Sequence, residues 1–238
     1  MSIDILAIGI HPDDVELSCA GTLLKHIAAG YSAGIIDLTK GELGTRGSAE
    51  LRLKEADAAA KILGVKFREN LGMEDGFFKN DKINLFLLVE KIRQYRPKIV
   101  LCNAVADRHP DHGRASEMVS EACFYSGLAK IETAYNKEMQ LPHRPVAVYH
   151  YIQDRNLKAD LVVDITPFID KKIEAIMAFS SQFFDPNSKE PATPISSPEF
   201  MESVKAKMRV YARDIQAEFA EGFTVERTIG VEDLLKLK

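Results

Sequence analysis

The chain has no tryptophan, and its three cysteines, Cys19, Cys102 and Cys123, are odd in number, lie in apolar surroundings and form no CxxC pair. That usage argues against a disulfide framework and predicts three reduced core residues. An excess of one charge is missing as well. The 31 Lys and Arg residues are nearly balanced by 35 Asp and Glu, for a net charge of -4, so there is no electrostatic footprint for nucleic acid or an anionic membrane surface. No apolar run approaches the roughly 20 residues that span a bilayer. The opening MSIDILAIG lacks the basic start and cleavage site of a signal peptide, so neither nucleic acid nor membrane is expected as a partner and the expected location is the cytoplasm. There is no internal repeat and no GxGxxG after the first apolar run, where His11 and Pro12 stand instead, which disfavours a nucleotide-binding module.

What is present is an alternation of patterns. With 238 residues, 46% of them hydrophobic, the chain is long enough for one sizeable core, and a single domain over 1–238 is expected. Apolar strand-like runs at 3–10, 31–39, 65–71 and 98–104 alternate with helical periodicities at 15–29, 48–63, 81–96 and 112–127. Ser48 reads as an N-cap, Gly30 and Gly64 as C-terminal stops, and Pro97 as a terminator. Repeated βαβ units build a parallel sheet with helices on both faces, so the expected fold class is α/β, a Rossmann-like three-layer sandwich with a mostly parallel sheet. Residues 1–130 form the core of this design. Residues 131–238 add strands at 146–152 and 161–165, a helix at 166–183, a surface loop or lid at 186–198 and a last long helix at 198–219.

Two of the strands run into the same kind of turn. ILAIGIHPDDVELS carries His11, Asp13 and Asp14, and IVLCNAVADRHPDHGRAS carries His109, Asp111 and His112. In an open parallel sheet ligands bind beyond the carboxyl ends of the strands. A 3-2-1-4-5 strand order makes the first and fourth strands neighbours, so both turns would open into one crevice at the sheet's C-terminal edge. Aspartates before helices commonly act as caps. Two HPD turns holding three of the six histidines are harder to explain that way. Two histidines and a carboxylate suffice for a catalytic zinc with one open position, and the same set serves ferrous iron. His11 and Asp14, three apart at a helix start, can converge on one ion, leaving Asp13 for proton chemistry.

The HPDD turn, the later HPDH turn and the phrase GELGTRGSAELRLKEA resemble the LmbE-like or PIG-L-type zinc deacetylases, in particular the bacterial branch that deacetylates N-acetylglucosaminyl-malate on the route to bacillithiol. The resemblance implies His11, Asp14 and His112 as zinc ligands, Asp13 as general base and His109 as electrophile. In that chemistry zinc polarises the acetyl carbonyl, Asp13 takes a proton from water, and a protonated His109, oriented and kept charged by Asp111, faces the oxyanion. It also implies homo-oligomers, hexamers among them.

For substrate contacts the sequence offers Arg52, whose planar fork suits an acidic aglycone such as malate, with Arg46 on the same loop, Glu42 for sugar hydroxyls and Arg108 at the mouth. The plainer reading of Arg52 is a surface pair with Glu55. Asp107 occupies a position where mycothiol-pathway relatives carry tyrosine, which speaks against a mycothiol substrate. The expected function is hydrolysis of the N-acetyl group of a small amino-sugar derivative. Chitin fragments or thiol conjugates are the alternative substrates.

Overall fold

The computed structural model describes residues 2–237. Its first strand, β1 (Ile5–Gly9), shows why the chain buries both faces: Leu6 and Ile8 enter one helical layer, Ile5 and Ala7 the other. After it come α1 (Asp14–Ala28), β2 (Ala33–Thr39), α2 (Ala49–Leu63), β3 (Arg68–Met73), α3 (Lys82–Tyr95), β4 (Ile99–Cys102) and α4 (Pro110–Tyr125). Then follow a small hairpin, β5 (Ala134–Tyr135) and β6 (Glu138–Met139), and β7 (Ala147–Tyr151), β8 (Leu161–Asp164), α5 (Ile169–Met177), α6 (Pro198–Ala212) and β9 (Ala220–Val225).

The main sheet has the order β3-β2-β1-β4-β7-β9-β8, so the expected 3-2-1-4-5 arrangement holds with β7 as the fifth parallel strand. Helices α3 and α4 pack on each other over Leu6, Ile8, Leu88 and Val119; α1, α2 and α5 cover the opposite face over Val15, Leu23, Leu101 and Tyr151. All three cysteines are free and buried, as expected.

The sequence reading fails mainly in the last third. The helix expected over 166–183 stops at Met177, because Ser181 turns its N–H (2.8 Å) and hydroxyl (2.7 Å) to the Glu55 carboxylate. Phe179 and Phe183 then drop into a cluster with Ala56 and Ala59. The final helix ends at Ala212 instead of continuing to 219, and β9 follows it, antiparallel to both neighbours. Its sequence, AEGFTV, does not read as an interior strand because Glu221 sits in it. That carboxylate is 2% exposed, held by Lys172 Nζ (2.6 Å) and the N–H groups of Gly21 (2.8 Å) and Thr22 (2.6 Å). The β5–β6 turn has Asn136 and Lys137 at φ 51° and 67°, the paired left-handed conformations of a type I′ hairpin.

A second buried ion cluster ties α1 to the sheet. Arg68 on β3 donates to Glu16 Oε1 (2.6 Å) and, through two nitrogens, to Asp37 Oδ2 (2.6 Å) and Oδ1 (2.9 Å). The Arg68, Glu16 and Asp37 side chains are at most 3% exposed.

Candidate active site

The site is assembled from polar residues that follow the carboxyl ends of the parallel strands. Asn103, next after β4, accepts from Ile10 N–H through Oδ1 (3.0 Å) and donates through Nδ2 to Asp14 Oδ2 (2.9 Å) and Gln153 Oε1 (2.8 Å). Gln153, just past β7, donates to Asp14 Oδ1 (2.9 Å). The first turn is thereby locked to the fourth and seventh strands, and Asp14 is aimed at the gap between the two HPD turns.

The backbone of that turn is strained. Asp13 has φ 125°, where non-glycine residues rarely sit, and such outliers persist only when their surroundings enforce them. Arg52 supplies part of the enforcement: its Nη2 donates to Pro12 O and to Asp13 Oδ2, both at 2.8 Å. Room for the guanidinium comes from Gly41 (φ 64°), where a Cβ would stand 2.1 Å from Arg52 Nη1. Asp13 Oδ1 has no hydrogen-bond partner among the described residues. Burial raises the Asp13 carboxyl to a pKa of about 6, against the opposing pull of Arg52.

Three imidazoles converge here, and His11, His109 and His112 present ring nitrogens within 4.8 Å of one another. Each outer histidine is oriented by a carboxylate. His11 Nε2 meets Asp75 Oδ1 at 3.0 Å, and His112 Nδ1 meets Asp107 Oδ2 at 2.5 Å. The remaining nitrogens, His11 Nδ1 and His112 Nε2, face Asp14 Oδ2 (3.8 Å) and Oδ1 (3.4 Å). A carboxylate behind each imidazole is the arrangement that fixes tautomer and direction in metal sites, and nitrogen donors with a carboxylate suit zinc or ferrous iron. His11, Asp75 and Asp111 also bring donor atoms within 4.8 Å of one another, but only Asp14 stands between two imidazoles of the cleft.

Burial disfavours the charged form of both outer histidines. Asp111 and Asp75 outweigh it at His11, raising the pKa to about 10; Asp14 and Asp107 do so at His112, raising it to about 9. A cation entering this set displaces protons. The Asp14 carboxyl, despite its burial, is held far below the ordinary range by His112 and His11.

His11, Asp13, Asp14, Arg52, Arg108, His109 and His112 line one cavity; Asp111, Glu42 and Arg46 do not. Asp111 does not orient His109 with its carboxylate. That group accepts from Gly76 N–H (2.9 Å), pairs with Arg114 (3.1 Å) and lies 3.7 Å from His11 Nε2, while its backbone N–H donates to His109 Nδ1 (3.3 Å). Burial and the two neighbouring imidazoles lower the His109 pKa, against the pull of Asp111 and Asp14. Arg52 is turned inward to Asp13, not to a ligand, and the surface pair with Glu55 does not form, since Glu55 binds Ser180 and Ser181. Glu42 accepts from the N–H groups of Asp75 (3.0 Å) and Lys40 (3.2 Å). Arg46 donates to Ser188 (2.7 Å), pinning the 186–198 loop, and Arg108 pairs with Asp154.

Asp75 and Asn103 escape sequence reasoning altogether, and Asp107 is noticed there for another reason. The signal that finds them is positional: a polar residue soon after the carboxyl end of a parallel strand.

Fold and site together define an α/β protein with an imidazole–carboxylate centre at the carboxyl edge of its sheet. Residues 6–123 match the family described as GlcNAc-PI de-N-acetylase, PIG-L. The diacetylchitobiose deacetylase of Thermococcus kodakarensis is 31% identical over 189 residues, covering 75% of this chain and 70% of that protein. The 4-oxalmesaconate hydratase of Pseudomonas putida is 29% identical over 194 residues, with 74% and 73% covered. Among solved structures, the conserved protein TT1542 from Thermus thermophilus superimposes with a TM-score of 0.85 at 34% identity, covering 97% of this chain and 98% of that one. The chain belongs to the PIG-L, or LmbE-like, deacetylase family.

Proposed function

We propose that the protein is a metal-dependent hydrolase that removes the N-acetyl group from a small N-acetylglucosaminide. The observation that carries this reading is Asp13, a buried carboxyl with a pKa near 6 and one unbonded oxygen, opening on the same cavity as three converging imidazoles. The similarity to a diacetylchitobiose deacetylase supports it.

His11, His112 and Asp14 are the residues that would hold a divalent cation, zinc or ferrous iron, which supplies Lewis-acid activation when bound. Asp13 takes a proton from the attacking water and returns it to the departing amine. A general base is most effective when its pKa lies near working pH, and burial tunes Asp13 in that direction. His109 accepts the Asp111 N–H on Nδ1, so the neutral ring carries its proton on Nε2. That N–H is the donor available to an oxygen gaining negative charge, in place of the imidazolium expected from sequence.

The finer choice of N-acetylglucosaminyl-malate rests on the resemblance of the GELGTRGSAELRLKEA phrase, with Arg52 as the candidate grip on malate. With that guanidinium engaged by Asp13, chitobiose-type and thiol-conjugate substrates stand on an equal footing with it. Release of free amine from N-acetylglucosaminyl-malate, diacetylchitobiose and N-acetylglucosamine by the metal-loaded protein tests the reaction class. Turnover of 4-oxalmesaconate without amine release from any of them would replace hydrolysis by hydration. The ligand set has its own test: His11→Ala and His112→Ala are each expected to lose bound metal by elemental analysis, and full occupancy in both would refute the assignment.

A further inference from the structure

The polar centre occupies one end of a cavity of about 360 Å³, within the range of roughly 300–1,000 Å³ typical of small-molecule sites. Beyond Asp14 the cavity follows α1 by one turn, past Leu17 and Ser18, to a floor where Lys172 and Glu221 pair at 2.6 Å. Helix α6 supplies another part of its lining. Phe200, Val204 and Met208 recur at i, i+4 and i+8, which lays their side chains in one stripe, and all three line the cavity. Ile195 extends the stripe towards the loop that Arg46 pins.

Four lysine and arginine residues line this space, and each is already held by the protein. Arg52 serves Asp13, Lys172 serves Glu221 and Leu17 O (2.8 Å), Arg108 pairs with Asp154, and Lys207 donates to the Gln153 and Asp154 carbonyls. To gain Arg52, Lys172 or Lys207 an anionic substituent would compete with the carboxylate or carbonyl already bound, whereas Arg108, 56% exposed and paired through Nε alone, is open to one. An apolar one needs no such exchange. Ser18 Oγ and Thr193 Oγ1 are buried atoms without a hydrogen-bond partner among the described residues, so the cavity also offers unused hydroxyls.

We propose that this chamber binds an alkyl or aryl group of the substrate, so that the preferred substrates are amphiphilic N-acyl glucosaminides. The apolar group is carried on the acyl side of the scissile amide or on the aglycone. The reaction rests on the preceding reading; the chamber does not.

Two substrate series separate the sources: N-acetyl, N-butanoyl and N-hexanoyl glucosamine, and the methyl, butyl and hexyl N-acetylglucosaminides. In one series kcat/KM is expected to rise about fourfold per buried methylene, the equivalent of ~0.8 kcal/mol. The series that rises identifies the side of the amide that enters. Val204→Asp is expected to flatten that slope; if its thermal unfolding shows a misfolded protein, Phe200→Ala is read in its place. Flat or falling series together with preference for N-acetylglucosaminyl-malate overturn the proposal. Calorimetric binding of hexyl against methyl glucosaminide, the amine products, to Asp13→Asn keeps the chamber separate from the chemistry. Hexyl binding tighter by at least tenfold, lost in Asp13→Asn/Val204→Asp, supports it even if no amide is cleaved. Equal binding of the two, together with a flat N-acyl series, overturns it.

Discussion

Asp13→Asn is expected to retain its metal and to lose at least about two orders of magnitude in kcat, the usual scale for removing a general base. The substitution keeps shape and burial, so thermal unfolding should change little while turnover collapses. Near-normal turnover in a metal-replete variant would remove Asp13 from the mechanism. The pH profile carries the same claim with a sign. The active form is the carboxylate, so kcat/KM should fall as pH drops through the Asp13 pKa, about 6 in the metal-free protein and lower with a cation beside it. Burial raises this pKa and Arg52 opposes the rise, so Arg52→Gln should move the acid limb to higher pH. A limb that stays in place, or moves down, would mean that another group sets it.

Arg68→Met is expected to produce the largest loss of stability. The substitution leaves Glu16 and Asp37 facing each other, both 0–1% exposed, with no cation between them. Removing one partner of a buried ion pair costs about 3–5 kcal/mol, because the remaining charge has no water to return to. For a chain of this size that corresponds to a fall in Tm of roughly 6–20 °C. Replacing all three, as Arg68→Met with Glu16→Leu and Asp37→Leu, should recover much of the loss, since an apolar set of similar volume has no charge to desolvate. Should the single variant melt within a degree or two of the parent, the cluster contributes little.

Much of the centre was legible in the sequence because the relevant residues are local. HPDD and HPDH each place three ionisable side chains within four positions, and buried strands ahead of them announce the sheet edge where they emerge. The alternation of patterns likewise carries the fold through α4. The rest lies in contacts that no local window contains. Asp75 and Asp107 are ordinary acidic residues until β3 and β4 deliver them behind His11 and His112. Arg52 looked available to a ligand because nothing nearby in sequence shows that its fork reaches Asp13, 39 residues away. Strand β9 was missed for the opposite reason. Its glutamate signals solvent, and Lys172, 49 residues earlier, with the N–H groups of Gly21 and Thr22, makes burial tolerable.

The placement of β9 between β7 and β8 also has a consequence for biosynthesis. Strand β8 has no sheet neighbour other than β9 among the described residues, so from the time Asp164 is made until Ala220–Val225 follows, its backbone donors and acceptors have nothing to pair with. A nascent chain paused in that interval carries two naked sheet borders, on β7 and on β8, of the kind that recruit other chains. Both borders close only when β9 enters between them.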